Sequence, residues 1–132
     1  MAKPGSRPIS PHLGIYTRGP HMIASIMHRI TGDGLATVGT ALLLWWLGAL
    51  ATGEAAYAQF LECMGSWPGR IILIGLTWAV FSHASSGIRH LVLDTGAGYE
   101  LKANRMWSLV VLVLPVLLTA ATWLFIFGKG IN

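Results

Sequence analysis

The sequence predicts an all-α membrane protein with three transmembrane helices, and three observations predict it. Charged residues make up 11% of the 132-residue chain, against roughly 25% in an average soluble domain. Hydrophobic residues make up 54%, and the mean hydropathy is +0.61. The apolar residues are gathered into long runs rather than dispersed at the periodicity of a soluble core. A hydrocarbon layer about 30 Å thick needs roughly 20 apolar residues as helix, and every backbone polar group in it must be bonded internally. Three runs meet that requirement, at about 22–51, 69–94 and 106–128.

Residues 1–20 precede the first run. They hold Lys3, Arg7 and Arg18, four prolines and no apolar core. That composition fits neither a secretory signal nor an amphipathic import sequence, and it predicts an extended arm. The first span then opens on a mixed stretch, His21–Asp33, with Ser25, His28, Arg29 and Asp33, before the apolar stretch Gly34–Ala51. One long helix is expected, its N-terminal third lying in the interface or inside a complex.

The Thr52–Gly69 connection carries Glu54 and Glu62 and no Lys or Arg, although Arg70 follows at its edge. The second span starts at Pro68-Gly69-Arg70 and is apolar through Phe81. Its second half carries Ser82, His83, Ser85, Ser86, Arg89, His90 and finally Asp94. Lipid disfavours those groups, so that half must face protein, a cofactor or water. The third span, Met106–Phe127, is free of charge and contains Pro115, which a packed membrane helix tolerates with a kink. The chain reads as one domain, 1–132, without an internal repeat.

Orientation follows from the cations. The N-terminal segment and the Asp94–Arg105 connection carry Lys3, Arg7, Arg18, Lys102 and Arg105. Three spans put both on one side, which the positive-inside rule makes the cytoplasm or matrix. The C-terminus is then expected on the periplasmic side. Trp45, Trp46, Trp67 and Trp123 fall toward the outer ends of spans, and Trp107 at an inner end, as interfacial anchoring predicts. The net charge of +4 and pI near 9.7 come from residues flanking apolar runs, not from a patch interleaved with aromatics. Nucleic acid is therefore not the expected partner. Cys63 is the single cysteine, so no internal disulfide and no cysteine-based metal cluster is expected.

On the second span, His83, Gly87, His90 and Asp94 are four, three and four residues apart and form one stripe. An imidazole on a membrane helix is a ready axial ligand for haem iron. Gly87 would let a flat macrocycle lie close to the backbone, and Arg89 and His90 suit the carboxylate side groups of a haem. A histidine there also serves simply to hydrogen-bond a neighbouring helix. On the first span, Ser25, His28, Arg29 and Gly32 share a face. A hydroxyl and a guanidinium near membrane depth suit a quinone, with Arg29 stabilising negative charge during its reduction. They equally suit a lipid phosphate at headgroup level. From spacing alone both pairs of readings stay open.

Three stretches add a resemblance: Arg7-Pro8-Ile9-Ser10-Pro11-His12-Leu13-Gly14-Ile15-Tyr16, then Ser25-Ile26-Met27-His28-Arg29-Ile30-Thr31-Gly32, then His83-Ala84-Ser85-Ser86-Gly87-Ile88-Arg89-His90-Leu91-Val92-Leu93-Asp94. In that order they resemble the cytochrome b, or large anchor, subunit of succinate dehydrogenase, respiratory complex II. The patterns S-I-x-H-R-x-[ST]-G and H-x-x-x-G-x-R-H-x-x-x-D both match, and the likeness covers nearly the whole chain. It implies a haem b held between two anchor subunits in one helical bundle, with His83 as one axial ligand and the other from a small anchor subunit. It implies that Ser25 and Arg29 line the ubiquinone site beside an iron–sulfur subunit, and that His28, Arg29 and His90 lie near the haem propionates. Succinate would be oxidised in a flavoprotein subunit, with electrons reaching ubiquinone at this anchor. The absence of a Gly-rich nucleotide loop and of a cysteine cluster suits that division of labour.

Three rivals remain at this level. A single-chain, two-haem fumarate reductase anchor should carry histidines on several spans, and the third span has none; a one-haem enzyme run in reverse is a closer variant. A structural anchor would hold no cofactor. A proton or ion transporter would use His83, His90 and Asp94 as a relay. A short chain without a transit sequence favours a bacterial inner membrane over the mitochondrial one.

Overall fold

The computed structural model describes residues 12, 14–16 and 19–130. The sequence expectations for Lys3, Arg7, Arg18 and most of the N-terminal arm lie outside the described residues. Four helices account for nearly all the rest. We label them α1 (Pro20–Thr52), α2 (Glu54–Gly65), α3 (Trp67–Asp94) and α4 (Leu101–Gly128). α1, α3 and α4 are long and apolar enough to cross a membrane.

α1 starts at Pro20, where the missing N–H and fixed φ suit the first helical turn. Its 33 residues span about 50 Å at 1.5 Å per residue, well beyond a hydrocarbon core. The polar N-terminal part therefore has length to spare. Between it and the apolar part lies a π-helical turn, Leu35–Gly39, which widens the helix by one residue and rotates the apolar face relative to the polar one. Thr37 Oγ1 donates to the Asp33 carbonyl at 2.7 Å within this stretch.

The connection between the first two spans is not a bare loop. Gly53, at φ +126°, breaks α1 in a conformation that favours glycine. α2 then folds back so that Phe60 and Met64 pack on Ala49, with Leu42, Tyr57 and Leu73 around them. The Trp45 and Phe60 rings meet edge to face at 5.0 Å. Arg70 Nε donates to the Gly65 carbonyl at the end of α2 (2.8 Å), satisfying a helix-terminal acceptor. That contact accounts for the one cation beside an otherwise acidic connection. Ser66 caps α3 by accepting from the Gly69 N–H at 3.4 Å.

α4 begins at Leu101, earlier than the expected Met106, and so carries Lys102 and Arg105 in its first turns. α1, α3 and α4 contact one another pairwise, and α2 rests on α1 and α3. The residues between them are mostly small or polar: Ala24 and Thr31 on α1; Gly69, Ala79, Ser82 and Ser86 on α3; Ser108, Pro115 and Thr119 on α4, with Val111 the larger apolar one. Large apolar side chains such as Leu91, Leu117 and Leu124 point outward, 61–71% exposed. This inside-out distribution belongs to helices whose outer solvent is hydrocarbon. Thr119 and Ser108 bond carbonyls of their own helix, Pro115 and Asn104, each at 2.7 Å. α3 and α4 are further tied toward the start of α3 and the end of α4, where Trp123 Nε1 donates to Thr77 Oγ1 at 3.3 Å. Trp123 is thus more than an interfacial anchor.

Gly69 sits where α2 turns into α3. A Cβ there would collide with the Cys63 carbonyl and stand 2.6 Å from Met64 Cα. Gly69→Ala is expected to cost about 1–3 kcal/mol of stability through overpacking, read as a lower thermal unfolding midpoint of the detergent-solubilised protein.

Candidate functional site

Three histidines converge where α1 faces the polar half of α3. His83 and His90 lie two turns apart on α3, about 10 Å along the axis, and His28 reaches in from α1. The His28 and His83 rings are stacked, with centroids 4.1 Å apart and planes within 9°. His90 is tilted by 57° to His28 at 5.0 Å. Gly87 lies between the two α3 histidines, and a Cβ added there would stand 4.0 Å from His28 Nε2. The clearance expected over Gly87 is thus filled, in part, by His28.

Gly32 sets the approach of the two helices. A Cβ at that position would come 2.9 Å from His83 Cε1, so any larger residue would push the His83 ring or α1 aside. At this distance His83 Nδ1 lies 3.1 Å from the His28 carbonyl oxygen and 3.4 Å from Thr31 Oγ1. A carbonyl oxygen can only accept, so the proton belongs on Nδ1. The Thr31 hydroxyl donates to the carbonyls of Met27 (2.8 Å) and His28 (3.1 Å), which leaves its lone pair for the same N–H. Nε2 of His83 is then the unprotonated nitrogen, with its ring orientation held from the opposite side. This is the arrangement by which a backbone carbonyl prepares a histidine for a metal.

Among the described residues no group of three His, Cys, Asp or Glu could hold a metal ion by itself. A single histidine would hold a metal only together with ligands from a macrocycle or another chain. The donor chemistry, an imidazole whose Nδ1 is engaged and whose Nε2 makes no hydrogen bond among the described residues, fits a haem. Next to the histidines, an apolar groove of about 360 Å³ runs between α1 and α3, bordered by Thr31, Gly34, Val38, Leu76 and Ala79.

Ser25 and Arg29 lie on the flank of α1 beside this cluster. Ser25 is half-buried and Arg29 exposed. Both stand within one turn of His28, but neither touches the ring stack through a hydrogen bond.

Arg89 departs from expectation. It is 8% exposed and turned to α4, where Nη2 donates to Asn104 Oδ1 at 2.5 Å. It borders a small cavity of about 140 Å³ with Leu93, Trp107 and Val110. It faces α4 rather than the histidines. Its Nε and the Ser86 hydroxyl are buried without a partner. Thr31 and Asn104, by contrast, gain roles that spacing did not flag. For Thr31 the signal was its place on the stripe Ala24, His28, Thr31; for Asn104 there was none.

Residues 3–122 match the family described as succinate dehydrogenase/fumarate reductase transmembrane subunit. The chain is 40% identical over 123 residues to the succinate dehydrogenase cytochrome b556 subunit of Paracoccus denitrificans, covering 93% of this chain and 94% of that one. It is 38% identical over 117 residues to the cytochrome b556 subunit of Rickettsia felis, covering 89% and 90%. Against the human mitochondrial cytochrome b560 subunit the identity is 33% over 114 residues, covering 85% and 67%.

Removing the Arg89 partner isolates a buried charge. Asn104→Ala is expected to lower stability by about 1.5–3 kcal/mol, the worth of a hydrogen bond to a charged group. Thermal unfolding of the purified protein reads it, and an unchanged midpoint would show that Arg89 finds another acceptor.

Proposed function

Because the chain belongs to the succinate dehydrogenase/fumarate reductase transmembrane-subunit family, we propose that it supplies one axial ligand to a haem b and part of a ubiquinone-reduction site. The chain is a multi-pass inner-membrane subunit of an enzyme complex.

The observation that carries it is the His83 ring, whose Nδ1 is committed to the His28 carbonyl at 3.1 Å and whose Nε2 is left to coordinate. Haem b, when bound, would supply a one-electron redox centre, held by His83 here and by a second ligand that a small anchor subunit would provide. His28, whose ring centroid stands 4.1 Å from that of His83 and 5.0 Å from that of His90, lies with His90 and Arg29 on the propionate side. Arg89 faces α4 instead.

Ser25 and Arg29 form this chain's share of the quinone site. The Ser25 hydroxyl donates to a quinone carbonyl, and the Arg29 guanidinium stabilises the negative charge that builds on oxygen as electrons arrive. Arg29, being exposed, is open to a ligand held against an iron–sulfur subunit. Succinate oxidation belongs to the flavoprotein subunit.

Orientation is part of the same proposal. Lys102 and Arg105 at the start of α4 share one end of the bundle with the start of α1 and the end of α3, while Glu54 and Glu62 of α2 lie at the other. The positive-inside rule makes the cationic end cytoplasmic. The histidines, Ser25 and Arg29 then lie toward the side where the soluble subunits dock, and the C-terminus is periplasmic.

His83→Ala is expected to remove or alter the b-type haem band in a succinate-reduced minus oxidised spectrum of the complex purified in mild detergent. An unaltered spectrum would move the ligand elsewhere. Ser25→Ala and Arg29→Leu should each lower succinate:quinone reductase activity, by roughly 10²-fold if a donor to the developing charge is lost. Succinate oxidation by an artificial acceptor should persist in both. Equal loss of the two activities would mean failed assembly instead.

A further inference from the structure

We propose that Thr31 is a positioning residue for His83: its hydroxyl oxygen shares the Nδ1 proton with the His28 carbonyl and so tunes the nitrogen that binds iron. The inference rests on His83 being the axial ligand. It goes further by naming what sets the electronic character of that ligand.

Three observations carry it. Thr31 is 2% exposed and lies on the face of α1 that meets α3. Its hydroxyl proton is engaged by carbonyls of its own helix, Met27 at 2.8 Å and His28 at 3.1 Å. Many threonines in membrane helices make such backward bonds and do no more; Thr119 and Thr122 here are two. Thr31 differs because a ring nitrogen stands 3.4 Å from the same oxygen. With its proton given away, that oxygen can only accept from His83.

The consequence is chemical. An imidazole whose N–H is held by two acceptors acquires more electron density on the opposite nitrogen and becomes a stronger donor to iron. A stronger donor favours ferric over ferrous iron and lowers the midpoint potential. The Thr31 contact, longer than the carbonyl contact, is the adjustable half of the pair, because the carbonyl belongs to the helix backbone and cannot be varied by substitution. The tautomer itself is set by the His28 carbonyl, an oxygen that can only accept and would face a lone pair if Nδ1 were unprotonated.

The test compares three variants of the purified complex. Thr31→Val keeps the shape and deletes the oxygen; Thr31→Ser keeps the oxygen and deletes a methyl. Redox titration of the haem band should show an upward shift in midpoint potential in Thr31→Val, with altered g-values of the ferric haem in its electron paramagnetic resonance spectrum. Thr31→Ser should stay near the parent in both. Loss of haem from an assembled Thr31→Val complex, with haem and potential retained in Thr31→Ser, would support the same requirement for the hydroxyl. The proposal is overturned if Thr31→Val titrates at the parent potential with parent g-values, or if Thr31→Ser is displaced as far as Thr31→Val. His83→Ala is the control for the underlying reading. If that variant keeps the parent haem spectrum, the ligand assignment itself has failed; if it loses the spectrum while Thr31→Val is unchanged, only the role of Thr31 has.

Discussion

A polar group placed at membrane depth must find its partner on a neighbouring helix, because hydrocarbon offers none. The contact of His83 Nδ1 with the His28 carbonyl is where that constraint binds this chain most tightly. It joins the polar halves of α1 and α3 and sets the His83 ring at a defined angle. It also requires the close helix approach that Gly32 permits. The stacking of His28 on His83, the tilt of His90 and the cover over Gly87 all follow from that approach.

The same constraint organises the other interface by different means. α3 and α4 meet through small side chains and are tied at both ends, by Arg89 with Asn104 at one and Thr77 with Trp123 at the other. Between them, serine and threonine hydroxyls return to carbonyls of their own helix, which removes their polarity without demanding a partner across the interface. The orphaned Arg89 Nε and Ser86 hydroxyl are the exceptions. The division of labour is spatial: one face of α3 carries the histidines toward α1, and the opposite face carries the structural cation toward α4.

α2 shows how a short connection can still do mechanical work. By packing Phe60 and Met64 against Ala49 it fixes where α1 ends and α3 begins, and Gly69 and Ser66 hold the corner tight. The relative position of α1 and α3 at the histidines is therefore defined at two places, the corner and the site itself. The π-helical turn at Leu35–Gly39 lies between the two and lets the polar and apolar faces of α1 point in different directions.

By itself the sequence determined the three spans, since length and hydropathy alone decide what a bilayer accepts, and it showed the stripe His83, Gly87, His90 from helical periodicity. The match of the motifs around His28 and His83 carried the family, which the comparisons bear out. The helix in the Thr52–Gly69 connection was illegible because its apolar residues are few and become a face only when folded on α1. The start of α4 at Leu101 was hidden because Lys102 and Arg105 read as loop, although a helix can extend past the hydrocarbon with its cations in the interface. Only the tertiary structure decided that Arg89 faces α4 and that Thr31 faces His83. Periodicity tells which residues share a face; which neighbour that face meets depends on how closely the helices approach. Gly32 and Gly69 set that approach through the absence of a side chain, a signal visible only once something is packed against it.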